Sequence, residues 1–284
     1  MRVRSSFFCA LAVAVALGAL LIAGCGGSAN KEAAPAGETG AASQPEPAAG
    51  AQAEKPTLGS GYDAIAEMQK GDATITGTIT YVGKVPNLPT INMDADPVCA
   101  GKHSGPVPIQ ALVLGDGNTV ANMFVQVKDS FAQGDYPPPS KPVVIEQDGC
   151  MYNPHVVGVM AGQPLEFWNA DGVLHNVHGL PQKNREFNLG MPATLHEKQE
   201  VLNTPESLFP VKCDVHPWMN AYVAVMSHPY FDVTGTDGKY SIKVPAGTYT
   251  IEAWQEKLGT QDQKVTVGAG ETKTVDFQLQ GPKS

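Results

Sequence analysis

Cysteine is scarce in this chain, at 5 of 284 residues, and no second Cys/His pair of similar spacing lies near Cys213 and His216. That absence counts against a structural zinc site, which draws its ligands from paired motifs. A long helical period is also missing, so the chain is not an all-α protein. There is no nucleophile elbow, no glycine-rich phosphate loop and no paired-carboxylate motif, so no catalytic residue and no enzyme activity is expected. Positive charge is short as well. Nineteen Lys and Arg face 28 Asp and Glu for a net charge of −9, with the acids spread along the chain, and this argues against nucleic acid as a partner. The one early apolar run, Phe7 to Ile22, is too short and wrongly flanked for a lasting membrane span.

That run follows a positive start, Met1-Arg2-Val3-Arg4, and ends Leu21-Ile22-Ala23-Gly24-Cys25, which matches the lipobox of bacterial lipoproteins. The expectation is a signal peptide over residues 1–24 with Cys25 lipidated; an ordinary signal peptide is the alternative. Several acyl chains hold a protein stably, at about 0.8 kcal/mol per buried methylene. Gly26, where an Asp would retain the protein at the inner membrane, is compatible with outer-membrane sorting. Residues 25–61 are Ala, Gly, Pro, Glu, Ser and Gln with almost no large apolar side chain. Such a segment cannot repay its ordering entropy, so a disordered tether is expected, with a reach on the order of 30–35 Å. A short helix is expected over Asp63–Lys70.

The rest reads as strands, and the expected class is all-β. Thr74–Val82 alternates β-branched and apolar residues. Ile109–Leu114 and Val120–Val127 flank Asp116-Gly117-Asn118, a hairpin signal because Asp-Gly tolerates positive φ. Further strands are expected at Tyr230–Val233, Tyr240–Val244, Thr248–Trp254, Gln263–Val267 and Thr272–Leu279.

Two motifs carry chemistry. Cys213-Asp214-Val215-His216-Pro217-Trp218-Met219 places a thiolate, an imidazole and a thioether at three-residue intervals in one tight loop. His175 stands after the alternating segment Pro164–Trp168, as a ligand at a strand end does. One thiolate, two imidazoles and a weak thioether are the donors that copper wants when it cycles between its two oxidation states. One cysteine in the loop excludes the dinuclear copper centre, which needs two, and a zinc or metal-free site is the alternative. The segment Asn153–Asn169, the His175-Asn176-Val177-His178 stretch and the Cys-x2-His-Pro-aromatic-Met loop resemble the cupredoxins, with the short loop most similar to amicyanin. The resemblance spans residues 140–227. It implies His175, Cys213, His216 and Met219 as copper ligands, and Asn176 as the residue tying the two ligand loops together. Asp214 departs from the family, where a small or neutral residue is usual; if buried, its carboxylate favours Cu(II) and lowers the potential. The resemblance also implies electron exit through an exposed His216 edge ringed by Pro217, Trp218 and Met219.

A second resemblance lies downstream. Thr234-Gly235-Thr236-Asp237-Gly238-Lys239-Tyr240, followed by Pro245-Ala246-Gly247-Thr248-Tyr249-Thr250-Ile251, is similar to the transthyretin-like regulatory modules of carboxypeptidases. Ile75–Ile79 and Ala121–Val127 look like the first two strands of that module. This implies a sandwich split into residues 73–130 and 229–281 with the cupredoxin inserted between; tandem β domains are the alternative. With Cys9 lost in the signal peptide, Cys25 lipidated and Cys213 on copper, Cys99 and Cys150 are left in an oxidising compartment, and a disulfide between them is expected. A second metal at Cys99/His103 or Cys150/His155 is the rival. His155, His178, His196 and His228 are expected to be structural or solvated. The resulting expectation is a lipid-anchored, extracytoplasmic protein of the bacterial envelope carrying one type 1 copper. It would pass electrons to or from a redox protein such as a c-type cytochrome or a membrane oxidoreductase, with its negative surface steering positive partners. A copper-delivery protein, or a structural or glycan-binding lipoprotein with a vestigial site, are the rivals.

Overall fold

Alternation sets the first strand. Thr74, Thr76, Thr78 and Thr80 interleave with Ala73, Ile75, Gly77, Ile79 and Tyr81, and a period of two sends the sets to opposite faces. In the computed structural model, which describes residues 57, 59–128 and 136–281, this segment is β1 (Ala73–Tyr81), with every odd-numbered residue buried. The signal segment, Cys25 and nearly all of the tether lie outside the described residues. Helix α1 (Ser60–Met68) begins three residues before its expected start, and its Gly61 meets the main chain at Pro142. Among the described residues no helix is long and apolar enough to cross a membrane.

After β1 the chain makes a long excursion containing β2 (Thr90–Ile91), α2 (Pro97–Gly101) and β3 (Val107–Pro108), and returns as β4 (Phe124–Val127). The strand expected at Ile109–Leu114 is absent. That stretch turns and makes a single bridge, Leu114 to Val120, around the positive-φ pair Gly117 and Asn118. Then follow β5 (Val143–Asp148), β6 (Met151–Asn153), β7 (Val156–Met160), β8 (Pro164–Asn169), β9 (His175–Gly179), β10 (Phe187–Met191), β11 (Glu197–Val201), β12 (Glu206–Lys212) and β13 (Asn220–Met226). The chain closes with β14 (Phe231–Val233), β15 (Lys239–Val244), β16 (Gly247–Gln255), β17 (Gly259–Val267), β18 (Thr272–Thr274) and β19 (Phe277–Leu279). The fold is all-β.

Apart from the small β2-β3 pair, sheet pairing divides the strands into two sandwiches. In the outer one, β1 lies between β15 and β18, with β19 also on β1, facing the sheet β14-β4-β16-β17. The inner one pairs β10-β9-β12-β13-β7 against β11-β8-β5-β6. The strand expected over Thr272–Leu279 is broken at Val275, whose carbonyl accepts from the Tyr240 hydroxyl. Asp237-Gly238 turns β14 into β15, with Gly238 at φ 66° and Asp237 Oδ1 accepting from Lys239 N, as that dipeptide favours.

Each sandwich has its own core, and they meet at β7. Phe124 and Phe231, from the outer sandwich, stack with ring centroids 5.4 Å apart on Gly158. A Cβ there would come within 2.3 Å of Phe231, so only glycine admits the two rings. Beside them His155 and Tyr222 of the inner sandwich both bond the Glu256 carboxylate, at 2.6 and 3.2 Å.

Candidate metal centre

The site is built where β9 begins and where β12 hands over to β13. Cys213 follows β12 directly. Its N–H donates to Met219 O, and Met219 N–H donates to His216 O, which closes residues 213–219 into a tight loop. His216 N–H lies 3.3 Å from Cys213 Sγ. His175 is the first residue of β9. His175, Cys213, His216 and Met219 are all buried, none more than 3 % exposed.

The three stronger donors converge. His175 Nδ1 and His216 Nδ1 are 2.9 Å apart, Cys213 Sγ is 3.9 Å from His216 Nδ1, and the ligand atoms of all three residues lie within 4.8 Å of one another. The outer ring nitrogens face carboxylates, with His175 Nε2 2.9 Å from Asp171 Oδ2 and His216 Nε2 3.0 Å from Asp96 Oδ2. An ionised carboxylate only accepts, so each Nε2 carries the proton and each Nδ1 presents a lone pair inward. Two lone pairs at 2.9 Å repel unless a proton or a cation lies between them.

Electrostatics favour the same outcome. Burial raises the Cys213 pKa, but His175 and the N–H groups of Asn176, His216 and Val215 outweigh it and bring the thiol down to about 7. Burial lowers the His175 pKa, yet Asp171 and Cys213 push it above the usual imidazole value. Burial acts to raise Asp171, and His175, the Cys150 N–H and Lys102 more than offset this, leaving it low. Lys102 Nζ is 3.1 Å from Asp171 Oδ1, an ion pair off the hydrogen-bonding axis of that oxygen. Two imidazole nitrogens and a thiolate suit a borderline or soft transition metal; calcium and magnesium take oxygen ligands.

Asn176 joins the two ligand segments, with Oδ1 accepting from Asp214 N at 2.6 Å and Nδ2 donating to Asp214 Oδ2 at 3.1 Å. Asp214 is 41 % exposed, so the condition attached to its effect on the potential is not met. Lys212, then Asn176, His178 and Asn188 hold its carboxyl at about 2. Cys99 and Cys150 are joined, with Cα atoms 5.6 Å apart across 51 residues.

The expected open edge of His216 is not there. α2 and its N-cap Asp96 cover it, Cys99 Sγ lies 3.6 Å from Nε2, and Trp218 turns inward to donate to Cys150 O at 3.1 Å. Only Pro217 of that expected ring is exposed. The large exposed apolar side chains flanking site residues are instead Val98, Leu174 and Val215. Sequence reasoning missed Asp96 and Asp171. Asp171 stood four residues before His175, and Asp96 before Pro97 at a helix start, a capping signal, but neither spacing shows what the second oxygen faces.

The remaining histidines have other partners. His103 Nε2 bonds Gly149 O at 2.7 Å, and His155 bridges Asn220 O and Glu256. His178 pairs with Asp214 and Glu186, and His196 reaches Asn169 O.

A model of the carboxypeptidase regulatory-like domain matches residues 216–280, which takes in β13 and the strands from β14 onward. Among solved structures the chain is similar to a copper-containing nitrite reductase from Thermus scotoductus SA-01, at 19 % identity over 34 % of this chain and 25 % of that one, TM-score 0.29. The chain thus spans about a quarter of that reductase. It is similar to a point mutant of amicyanin in its oxidised state, at 17 % identity over 36 % of this chain and 98 % of that one, TM-score 0.28. A purple cupredoxin from Nitrosopumilus maritimus aligns at 22 % identity over 29 % of this chain and 98 % of that one, TM-score 0.25. No curated protein matches the sequence. At these scores the likenesses assign no activity.

Proposed function

We propose that this chain is a type 1 copper protein that carries single electrons and catalyses no reaction itself. The observation that carries the reading is the convergence of His175 Nδ1, His216 Nδ1 and Cys213 Sγ, on three buried residues. His175 Nδ1, His216 Nδ1 and Cys213 Sγ would hold the metal. Met219, buried in the same loop, would add the weak thioether that zinc sites do not use. Copper, when bound, supplies one-electron chemistry. The protein holds the ring tautomers through Asp171 and Asp96, keeps Cys213 ready as a thiolate, and excludes water. A preformed, closed ligand set favours a resident metal over one in transit, against the copper-delivery reading.

We place the protein, through a lipidated Cys25, at an extracytoplasmic membrane face. It would meet there a redox partner such as a c-type cytochrome or a membrane oxidoreductase. The net charge of −9 supports a positively charged partner, with association slowing as salt rises.

The test is the visible and electron-paramagnetic-resonance spectrum of the full chain after adding Cu(II). An intense blue band and narrow copper hyperfine splitting are expected, both lost in Cys213→Ser. A colourless protein with ordinary tetragonal copper signals would sink the reading.

A further inference from the structure

The Nε2 edge of His216 is met by a segment from outside the inner sandwich. α2 lies in the excursion between β1 and β4, two strands of the outer sandwich. Asp96 divides its oxygens between two tasks. Oδ1 caps α2, accepting from Val98 N at 2.9 Å and Cys99 N at 3.1 Å, and Oδ2 is left to face His216 Nε2 at 3.0 Å. The short helix does not depend on its cap alone to stay in place. The Cys99–Cys150 disulfide within it, and the Lys102–Asp171 ion pair and His103–Gly149 hydrogen bond just after it, tie it to the inner sandwich. Asp171 is itself the group that faces the other histidine. The cover and the two outer nitrogens therefore form one connected network.

We infer that Asp96 is a positioning residue for His216, delivered by a disulfide-latched cover that closes the metal centre. The inference rests on the proposed metal reading and adds a role that the ligand set alone does not contain. The carboxylate fixes the ring in the tautomer whose Nδ1 lone pair points at Cys213 and His175. The cover keeps solvent and small external ligands from the ring edge and stops the imidazole from swinging out. Groups that orient a metal-bound histidine in this way carry roughly 10–100-fold in metal affinity.

The experiment follows the His216 Nε2 proton by ¹H–¹⁵N NMR in the full chain, metal-free and loaded with Cu(I) without oxygen. Cu(I) affinity is measured by competition with a chelator. In the wild type the proton should exchange slowly with water. Asp96→Ser keeps a helix cap but removes the carboxylate, so it should speed exchange and weaken Cu(I) binding by about 10–100-fold, and Asp96→Glu should recover part of both. A Cys99→Ala/Cys150→Ala double variant leaves Asp96 in place and cuts the latch, and it should also speed exchange. A His216 proton that exchanges at once in the wild type overturns the inference, as does Asp96→Ser with unaltered exchange and affinity. Failure of the copper reading shows separately, as a chain that binds no Cu(I) while the metal-free proton still reports the Asp96 contact.

Discussion

The two sandwiches bury different things. The outer core is almost wholly apolar, Ile75, Ile79, Tyr240, Ile242, Ile251 and Phe277 among its members, with Thr234, Gln255 and His228 the buried polar side chains beside it. The inner sandwich buries Glu146, Gln147, His155, Gln163, Glu166, Asn169, Asp171, His175, Asn176, Glu206 and His216. A buried polar group is costly unless it is paired. All of these but Gln147, whose side-chain amide has no hydrogen-bond partner among the described residues, are paired, and such a concentration marks where shape alone was not the requirement. One half of the molecule is a frame and the other holds chemistry.

The comparison breaks first if the halves are not mechanically joined. Phe124→Ala removes a ring that is 1 % exposed and stacked on Phe231 over Gly158. It should destabilise the protein by about 3–5 kcal/mol and split one calorimetric transition into two; a single, barely shifted transition would show that the contact couples nothing.

A buried carboxylate of the inner half sharpens the contrast. Glu206 accepts from the N–H groups of Gln182, Lys183 and Asn184 and from Asn184 Nδ2. Burial alone would raise its pKa, and these bonds hold it below its usual 4.5. A depressed carboxyl stabilises the fold above its unfolded pKa and loses that contribution as pH falls through the folded one. Glu206→Gln should cost about 1.5–3 kcal/mol at neutral pH and flatten the acid limb of stability against pH below about 4.5. An acid limb identical to the wild type would contradict this.

The smallest effect belongs to the frame's surface. Lys273 and Glu271 pair at 3.4 Å with both side chains well exposed. Lys273→Ala should shift stability by less than about 0.5 kcal/mol, as read by chemical denaturation.

Much of the frame was legible because alternation survives in it. β1, β15 and β16 fall within a residue or so of their expected ends, since each strand buries one face and wets the other. The meeting of Cys213 and His216 was legible because one tight loop constrains their spacing, and that of His175 because it follows a strand. The Ile109–Leu114 strand was misread because its apolar residues serve a turn with a single bridge. Asp96 was out of reach for a different reason. Its cap role is local and readable, but its second oxygen acts on a ring 120 positions away, and sequence distance carries no sign of that meeting. The same holds for the hidden edge of His216.

The topology of the frame has a consequence in time. β1 pairs with β15, β18 and β19, and β4 with β14 and β16, all of them in the last part of the chain to be made. As the polypeptide emerges from its N-terminus, both strands must wait without partners while the whole inner sandwich is synthesised. Such long-range closure is slow, and domains tend to fold as units in the order they appear. The inner sandwich can assemble first and bring the two ends of its own insertion together.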